Sequence, residues 1–230
     1  KQNLENNYGE ILNEAKLYLA MKAAMNEVHA DAIAIDDIVL YWSGKLRAWP
    51  CLGYMELIRN NEGVPACEAD IASAALELMM KYLANRPGFI NDPSIDMAKD
   101  EVVHYHCFAP ITPYGYGDSK RAPYTITPAH FGSKRASIYV ELPVEEPITA
   151  LGLSPDERII TIYTGKSAAN EYSIKACATK LVVRTNTKAL VNKWVRRAGW
   201  HRVVFYGDWK EDVQNLARLL GLKVVVEDSD

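Results

Sequence analysis

Two acidic residues follow directly on short apolar runs that read as buried strands. Glu68 closes Val64-Pro-Ala-Cys67, and Asp92 closes Gly88-Phe-Ile-Asn91. Ligands of α/β proteins collect at the carboxyl ends of strands, where loops leave polar groups facing a crevice. Two carboxylates in such a crevice suit hard-cation binding or acid/base chemistry. Imidazoles are available to join them: His104 and His106 in Val102-Val-His-Tyr-His106, His130 in Thr127-Pro-Ala-His-Phe131, and His201 in Gly199-Trp-His201. Each residue also has an ordinary explanation. Glu68 and Asp70 sit where a helix begins and where its dipole and free N–H groups favour acids. Asp92 before Pro93 is a common turn former.

The elements that must position these groups can be read from periodicity. Apolar residues recur at helical spacing over 9–29, 49–60, 70–84, 188–197 and 209–220. Short strands are predicted at 32–35, 64–67, 88–91, 102–106, 203–206 and 223–226. Strand and helix alternate over 30–110, which predicts a parallel unit with right-handed crossovers. After the Gly-, Pro- and Tyr-rich stretch 110–123 the pattern changes to alternating runs at 137–142, 158–163 and 179–183, as in an antiparallel sheet or barrel. The expected fold class is α/β, a parallel αβα sheet unit joined to an antiparallel β subdomain. Residues 1–120 form the first domain. Residues 121–230 form a β-rich C-terminal domain whose closing αβαβ segment returns to the first sheet.

Composition narrows the function classes. The chain has 230 residues, 49% of them hydrophobic, and a formal charge of −3, with no basic surplus of the kind that replaces counterions on nucleic acid. No run approaches the ~18 apolar residues of a membrane span, and the polar start is unlike a signal peptide. A cytoplasmic location without nucleic-acid or membrane partners is expected. Cys51, Cys67, Cys107 and Cys177 show no Cys-x-x-Cys spacing, which argues against a zinc knuckle. Cys67 adjoins Glu68 and Cys107 adjoins His106, so both fall beside the crevice, with burial as small hydrophobes the plainer reading. No glycine pattern for a nucleotide loop is present.

The segment 51–70, Cys-Leu-Gly-Tyr-Met-Glu-Leu-Ile-Arg-Asn-Asn-Glu-Gly-Val-Pro-Ala-Cys-Glu-Ala-Asp, and its sequel through His106-Cys-Phe-Ala-Pro110 resemble the C-terminal part of the L-fucose isomerase-like proteins of the L-fucose/L-arabinose isomerase superfamily. The resemblance runs from about residue 35 to the C-terminus. It implies a metal-dependent aldose-ketose isomerase that works through an enediolate, with Mn2+, or another divalent ion such as Mg2+ or Co2+, as cofactor. Glu68 and Asp92 occupy the positions of the family's catalytic carboxylates and metal ligands, and His201 that of its histidine ligand. The second histidine of the arabinose branch points to His106, ahead of His104, of which only one is expected to reach the crevice. His104 is expected to pack against a helix. His130 and Trp42 are further candidates for contact with the sugar, as are Trp49 and Trp200, because indoles stack on apolar faces. The implied partners are a monosaccharide and further copies of the chain, in a trimer or hexamer. Family members carry an N-terminal Rossmann-like domain that this chain lacks, and the chain opens on Lys1, so it is expected to be a piece of a longer protein. An inactive sugar-binding or assembly fragment is the alternative.

Overall fold

The computed structural model describes residues 8–128, 135–173 and 176–229. The first part of the chain runs α1 (Tyr8–Glu27), β1 (Ala32–Ala34), α2 (Asp37–Trp42), α3 (Cys51–Arg59), β2 (Val64–Ala66) and α4 (Ile71–Ala84). It continues with β3 (Phe89–Asp96), β4 (Glu101–His106), β5 (Tyr124–Pro128), β6 (Ala136–Val140), β7 (Pro147–Ser154), β8 (Ile159–Tyr172) and β9 (Thr179–Arg184). The last elements are α5 (Thr187–Lys193), β10 (Arg202–Tyr206), α6 (Lys210–Leu220) and β11 (Lys223–Val226). The fold is mixed α/β, as expected.

The helices start where side chains satisfy their free N–H groups. The Asp36, Asp70 and Asn186 side chains accept from Val39, Ser73 and Ala189 N–H at the heads of α2, α4 and α5. Helix α3 opens on Pro50, which brings no side-chain cap. Its Leu52 N–H donates instead to Glu14 Oε2 of α1 at 2.9 Å. Left-handed residues stop α4 at Asn85 and α6 at Gly221.

The expected parallel unit is smaller than periodicity predicts. β1 and β2 pair in parallel, Ala32 opposite Val64 and Ala34 opposite Ala66. β3, however, does not join them. It enters a seven-stranded sheet of order β11-β8-β7-β10-β3-β4-β9, in which it is antiparallel to both β10 and β4. The short turn between β3 and β4, with Asp100 in the left-handed region, permits only a hairpin. The distal half of the 14-residue β8 also pairs with β9, so β7, β10, β3, β4, β9 and β8 close on themselves as a barrel. β11 likewise returns to this sheet rather than to β1–β2, lying parallel to β8. The barrel thus draws strands from both sides of residue 120.

β3 carries Pro93 in its middle without breaking. β10 pairs only with Phe89–Asn91, whereas Asp92–Asp96 pair with β4 alone. Proline lacks a ladder donor, and here that side of the strand has no partner strand. The same change of neighbours frees Asp92 to face the groups beyond β10.

All five residues of β10 are buried. Val204 and Tyr206 join a core with Trp49, Leu57, Phe108, Tyr163 and Leu181, while Val203 and Phe205 pack with Leu76 and Met80 of α4 and Val213 and Ala217 of α6. Successive residues of a strand face opposite sides, so β10 separates two cores. Fully burying one Leu, Ile or Phe contributes roughly 1.5–3 kcal/mol. The close fit shows at Gly88, where a Cβ would come within 2.3 Å of Val203 Cγ1.

Glu77 of α4 is fully buried; its Oε2 accepts from Gly88 N–H at 3.1 Å and from the Tyr116 hydroxyl at 2.9 Å, while Oε1 has no partner. Burial pushes its carboxyl up to about 8 from an ordinary 4.5. The folded chain therefore holds a proton that the unfolded chain releases, and stability falls as pH rises from about 4.5 to about 8. Glu77→Gln is expected to be more stable than the parent by about 1–3 kcal/mol at pH 8, with the gain shrinking toward pH 5. Urea unfolding at the two pH values checks this.

Candidate metal centre

Glu68 leaves β2 in an uncommon conformation. Glu68 and Ala69 both have left-handed φ, 56° and 54°, which non-glycine residues adopt only when their surroundings compel it. The surroundings here are the end of β1 and the start of α2. Ala69 N–H donates to Ile35 O at 2.9 Å, and Glu68 N–H donates to Asp37 Oδ1 at 2.7 Å. One residue later Asp70 caps α4. The loop is gripped on both sides and its carboxylate has one place to go.

Register brings the other groups to it. Arg202 is opposite Asn91, so His201 and Asp92 are the next positions along; Asp92 is opposite Tyr105, which puts His106 at the same rim. Four side chains meet there. His106 Nε2 is 3.6 Å from Glu68 Oε1, while His201 Nε2 is 3.5 Å from Glu68 Oε2 and 3.6 Å from Asp92 Oδ1. The imidazole rings of His106 and His201 are 5.5 Å apart and nearly perpendicular. Ligand atoms of Glu68, His106 and His201 all lie within 4.8 Å of one another.

His201 Nδ1–H donates to Asp70 Oδ2 at 2.9 Å. That bond fixes the tautomer and leaves the lone pair on Nε2, which is buried and has no hydrogen-bond partner. That lone pair faces two carboxylates at 3.5–3.6 Å, one nitrogen and two oxygen donors directed at a common point. The carboxylate behind the histidine is also how proteins orient and strengthen metal-binding imidazoles. The residues fit a divalent ion with mixed oxygen and nitrogen preference.

The electrostatics separate the two carboxylates. The nearby His106 and His201 imidazoles hold Glu68 down at about 2. Burial raises Asp92. Burial pulls both imidazoles down, but Cys107 and Glu68 outweigh it at His106, and Asp70 and Glu68 do so at His201, so both finish raised. Asp37, buried beneath the loop, is pushed up to about 7 by desolvation.

The structure therefore gathers Glu68, Asp92, His106 and His201. Trp42 is not gathered with them: it is exposed at the end of α2 and its ring contact is with Tyr41. Trp49 is core, stacked on Tyr41. Trp200 lies beside the centre, edge-on to His201 at 5.9 Å, along a groove with Pro93, Ser94 and Trp194. His130 lies outside the described residues. His104 shares a face with His106, since residues two apart on a strand point the same way. It packs against no helix, because Asn91 Oδ1 accepts its Nδ1–H at 2.6 Å and Tyr163 O–H donates to its Nε2 at 3.2 Å. Burial lowers it to about 3, so it is neutral. Asp37 is the functional neighbour that sequence reasoning missed. Its signal was the Asp36-Asp37 pair at the carboxyl end of β1.

The chain is similar to a curated isomerase. That protein is the sulfoquinovose isomerase of Clostridium sp. (strain MSTE9), 26% identical over an alignment of 189 positions that covers 77% of this chain and 40% of the relative. The chain thus spans well under half the length of this relative. No family model matches the chain. No helix among the described residues is long and apolar enough to cross a membrane.

Asp70→Asn keeps a good helix cap but turns an amide N–H toward His201 Nδ1. The variant is expected to keep its melting temperature within a few degrees and to bind Mn2+ about 10–100-fold more weakly. Calorimetry beside a thermal melt checks both.

Proposed function

We propose that this chain carries the cation cage of a metal-dependent aldose-ketose isomerase of the L-fucose/L-arabinose type, acting on an open-chain monosaccharide. The observation that carries the reading is the unpartnered His201 Nε2 set between the Glu68 and Asp92 carboxylates. Similarity to an isomerase supports it at the level of reaction class.

Glu68, Asp92 and His201 would hold the ion, Mn2+ in the first instance, with Mg2+ or Co2+ as alternatives. Such an ion would act there as a Lewis acid toward the sugar carbonyl and stabilise negative charge developing on its oxygens. The chain's own residues do the rest. Asp70 keeps His201 in the ligating tautomer, and Asp37 keeps the Glu68 backbone in its left-handed turn. Asp92, engaged by His201 alone at 3.6 Å, is the carboxylate with an oxygen to spare. It would take the proton from the hydroxyl-bearing carbon and return it to the carbonyl carbon, while the hydroxyl proton passes from its own oxygen to the neighbouring carbonyl oxygen. His106 Nε2, at the rim, faces the sugar oxygens. Trp200, one of the three tryptophans that the sequence offered for sugar contact, has its indole beside them, edge-on to His201.

The relative is longer than this chain, and on the resemblance to the L-fucose/L-arabinose isomerases further chain, or further copies in a trimer or hexamer, would complete the sugar pocket. Metal binding and turnover are therefore measured separately. Calorimetric titration of this chain with Mn2+ is expected to show one site, lost in Asp92→Asn. Glu68→Gln in the longest available form of the protein is expected to lower isomerisation of aldoses by at least ~10²-fold with the fold unchanged. Undiminished turnover in Glu68→Gln would refute the assignment.

A further inference from the structure

Behind the cage, on the other side of the His106 ring, lies a cluster that the isomerase reading does not use. Cys67 Sγ, Cys107 Sγ and a ring nitrogen of His106 lie within 4.8 Å of one another, and all three residues are buried. His106 Nδ1 is 3.5 Å from Cys107 Sγ, on the edge of the ring opposite the Nε2 that faces Glu68. Cys51, the first residue of α3, is fully buried beside them, and its thiol is pushed up chiefly by the neighbouring Cys107. Three donors of one sulfur-rich set thus come from the β2–α4 junction and the end of β4, with a third thiol next to them on α3. None of these cysteines is in a disulfide.

Two buried carboxyls lie near this set. Glu14, with Oε1 unpartnered, and Asp37 are both pushed up by burial, with the nearby Cys107 adding to the shift. His106 Nδ1 is the basic group against Cys107. Thiolate and imidazole together select soft or borderline ions in tetrahedral geometry, unlike the oxygen-rich cage in front.

We propose that Cys67, Cys107 and His106 Nδ1, with Cys51 as fourth donor, form a second metal site for a thiophilic d10 cation of the zinc and cadmium class. Binding displaces the thiol protons of the coordinating cysteines to solvent and forms metal–sulfur bonds without any change of oxidation state. A cation on Nδ1 leaves the proton of His106 on Nε2. The Nε2–H then faces Glu68 Oε1, 3.6 Å away, so one ring joins the inner site to the outer cage.

The test is titration of the reduced chain with Cd2+, followed by the near-ultraviolet sulfur-to-cadmium charge-transfer band, which carboxylate cages cannot give. The proposal expects a band that saturates at a single equivalent, is lost in Cys67→Ala and in Cys107→Ser, and survives in Asp92→Asn and in Cys177→Ser. Circular dichroism and a thermal melt establish which variants are folded; should Cys107→Ser fail to fold, Cys67→Ala decides. Absence of the band in the reduced parent overturns the proposal, as does a band that survives in folded Cys67→Ala or vanishes in Cys177→Ser. None of these readouts requires isomerisation or Mn2+ binding, so the inner site stands or falls apart from the function of the cage.

Discussion

The hydrogen bond from His201 to Asp70 ties together parts of the chain that are 131 residues apart. Asp70 is fixed first by local chemistry, because it caps α4 through Ser73 N–H at 2.8 Å and the Ser73 hydroxyl at 2.6 Å. Its second oxygen then orients an imidazole that belongs to the lead-in of β10. A cap contributes on the order of 1 kcal/mol to a helix. Here the same carboxylate also fixes the angle between the β1–β2 layer and the barrel at the point where their loops meet. Glu68, Asp92 and His106 are placed relative to that joint.

A second constraint holds β10 from beneath. Arg202, next to His201, is fully buried; it pairs with the equally buried Glu227 at 2.9 Å, stacks on Trp194 at 3.7 Å and donates to the Gly199 and His201 carbonyls. Removing one partner of such a pair leaves an uncompensated charge, a loss of about 3–5 kcal/mol. Glu227 also accepts from Val195 N–H at 3.0 Å. The end of the chain after β11 thereby closes over the segment that delivers His201. Side-chain position at the centre is thus secured by backbone carbonyls and a buried ion pair, not by exposed contacts.

Much of this was legible in the sequence. Helical periods located α1, α3, α4 and α6, and strand-end acids marked Glu68 and Asp92, because both signals are local. What escaped was set by partners distant along the chain. The extension of β3 across Pro93 follows from where β10 stops, and no property of Pro93 itself reports it. Closure of the barrel depends on β8 having a partner on each side along its length, which an alternating pattern cannot specify. Asp37 follows the predicted strand 32–35 with no local sign of its partner, which is a left-handed turn 31 residues away. The cysteines show the same limit. Their spacing excluded a knuckle, yet three of them converge because α3, β2 and β4 do.

The alternation of β3 sends neighbouring residues to different tasks: Asn91 into the barrel, where it holds His104, and Asp92 out to the cage. A strand has a period of two, so sliding it by one place would exchange them. The barrel would then receive a carboxylate beside the already paired Arg202 and Glu227, and the cage an amide. Side chains elsewhere in the barrel can change without moving either group. Insertion or loss of a single residue within β3, or between His201 and the end of β10, is barred. The length of those strands, more than their composition, is what descent must preserve.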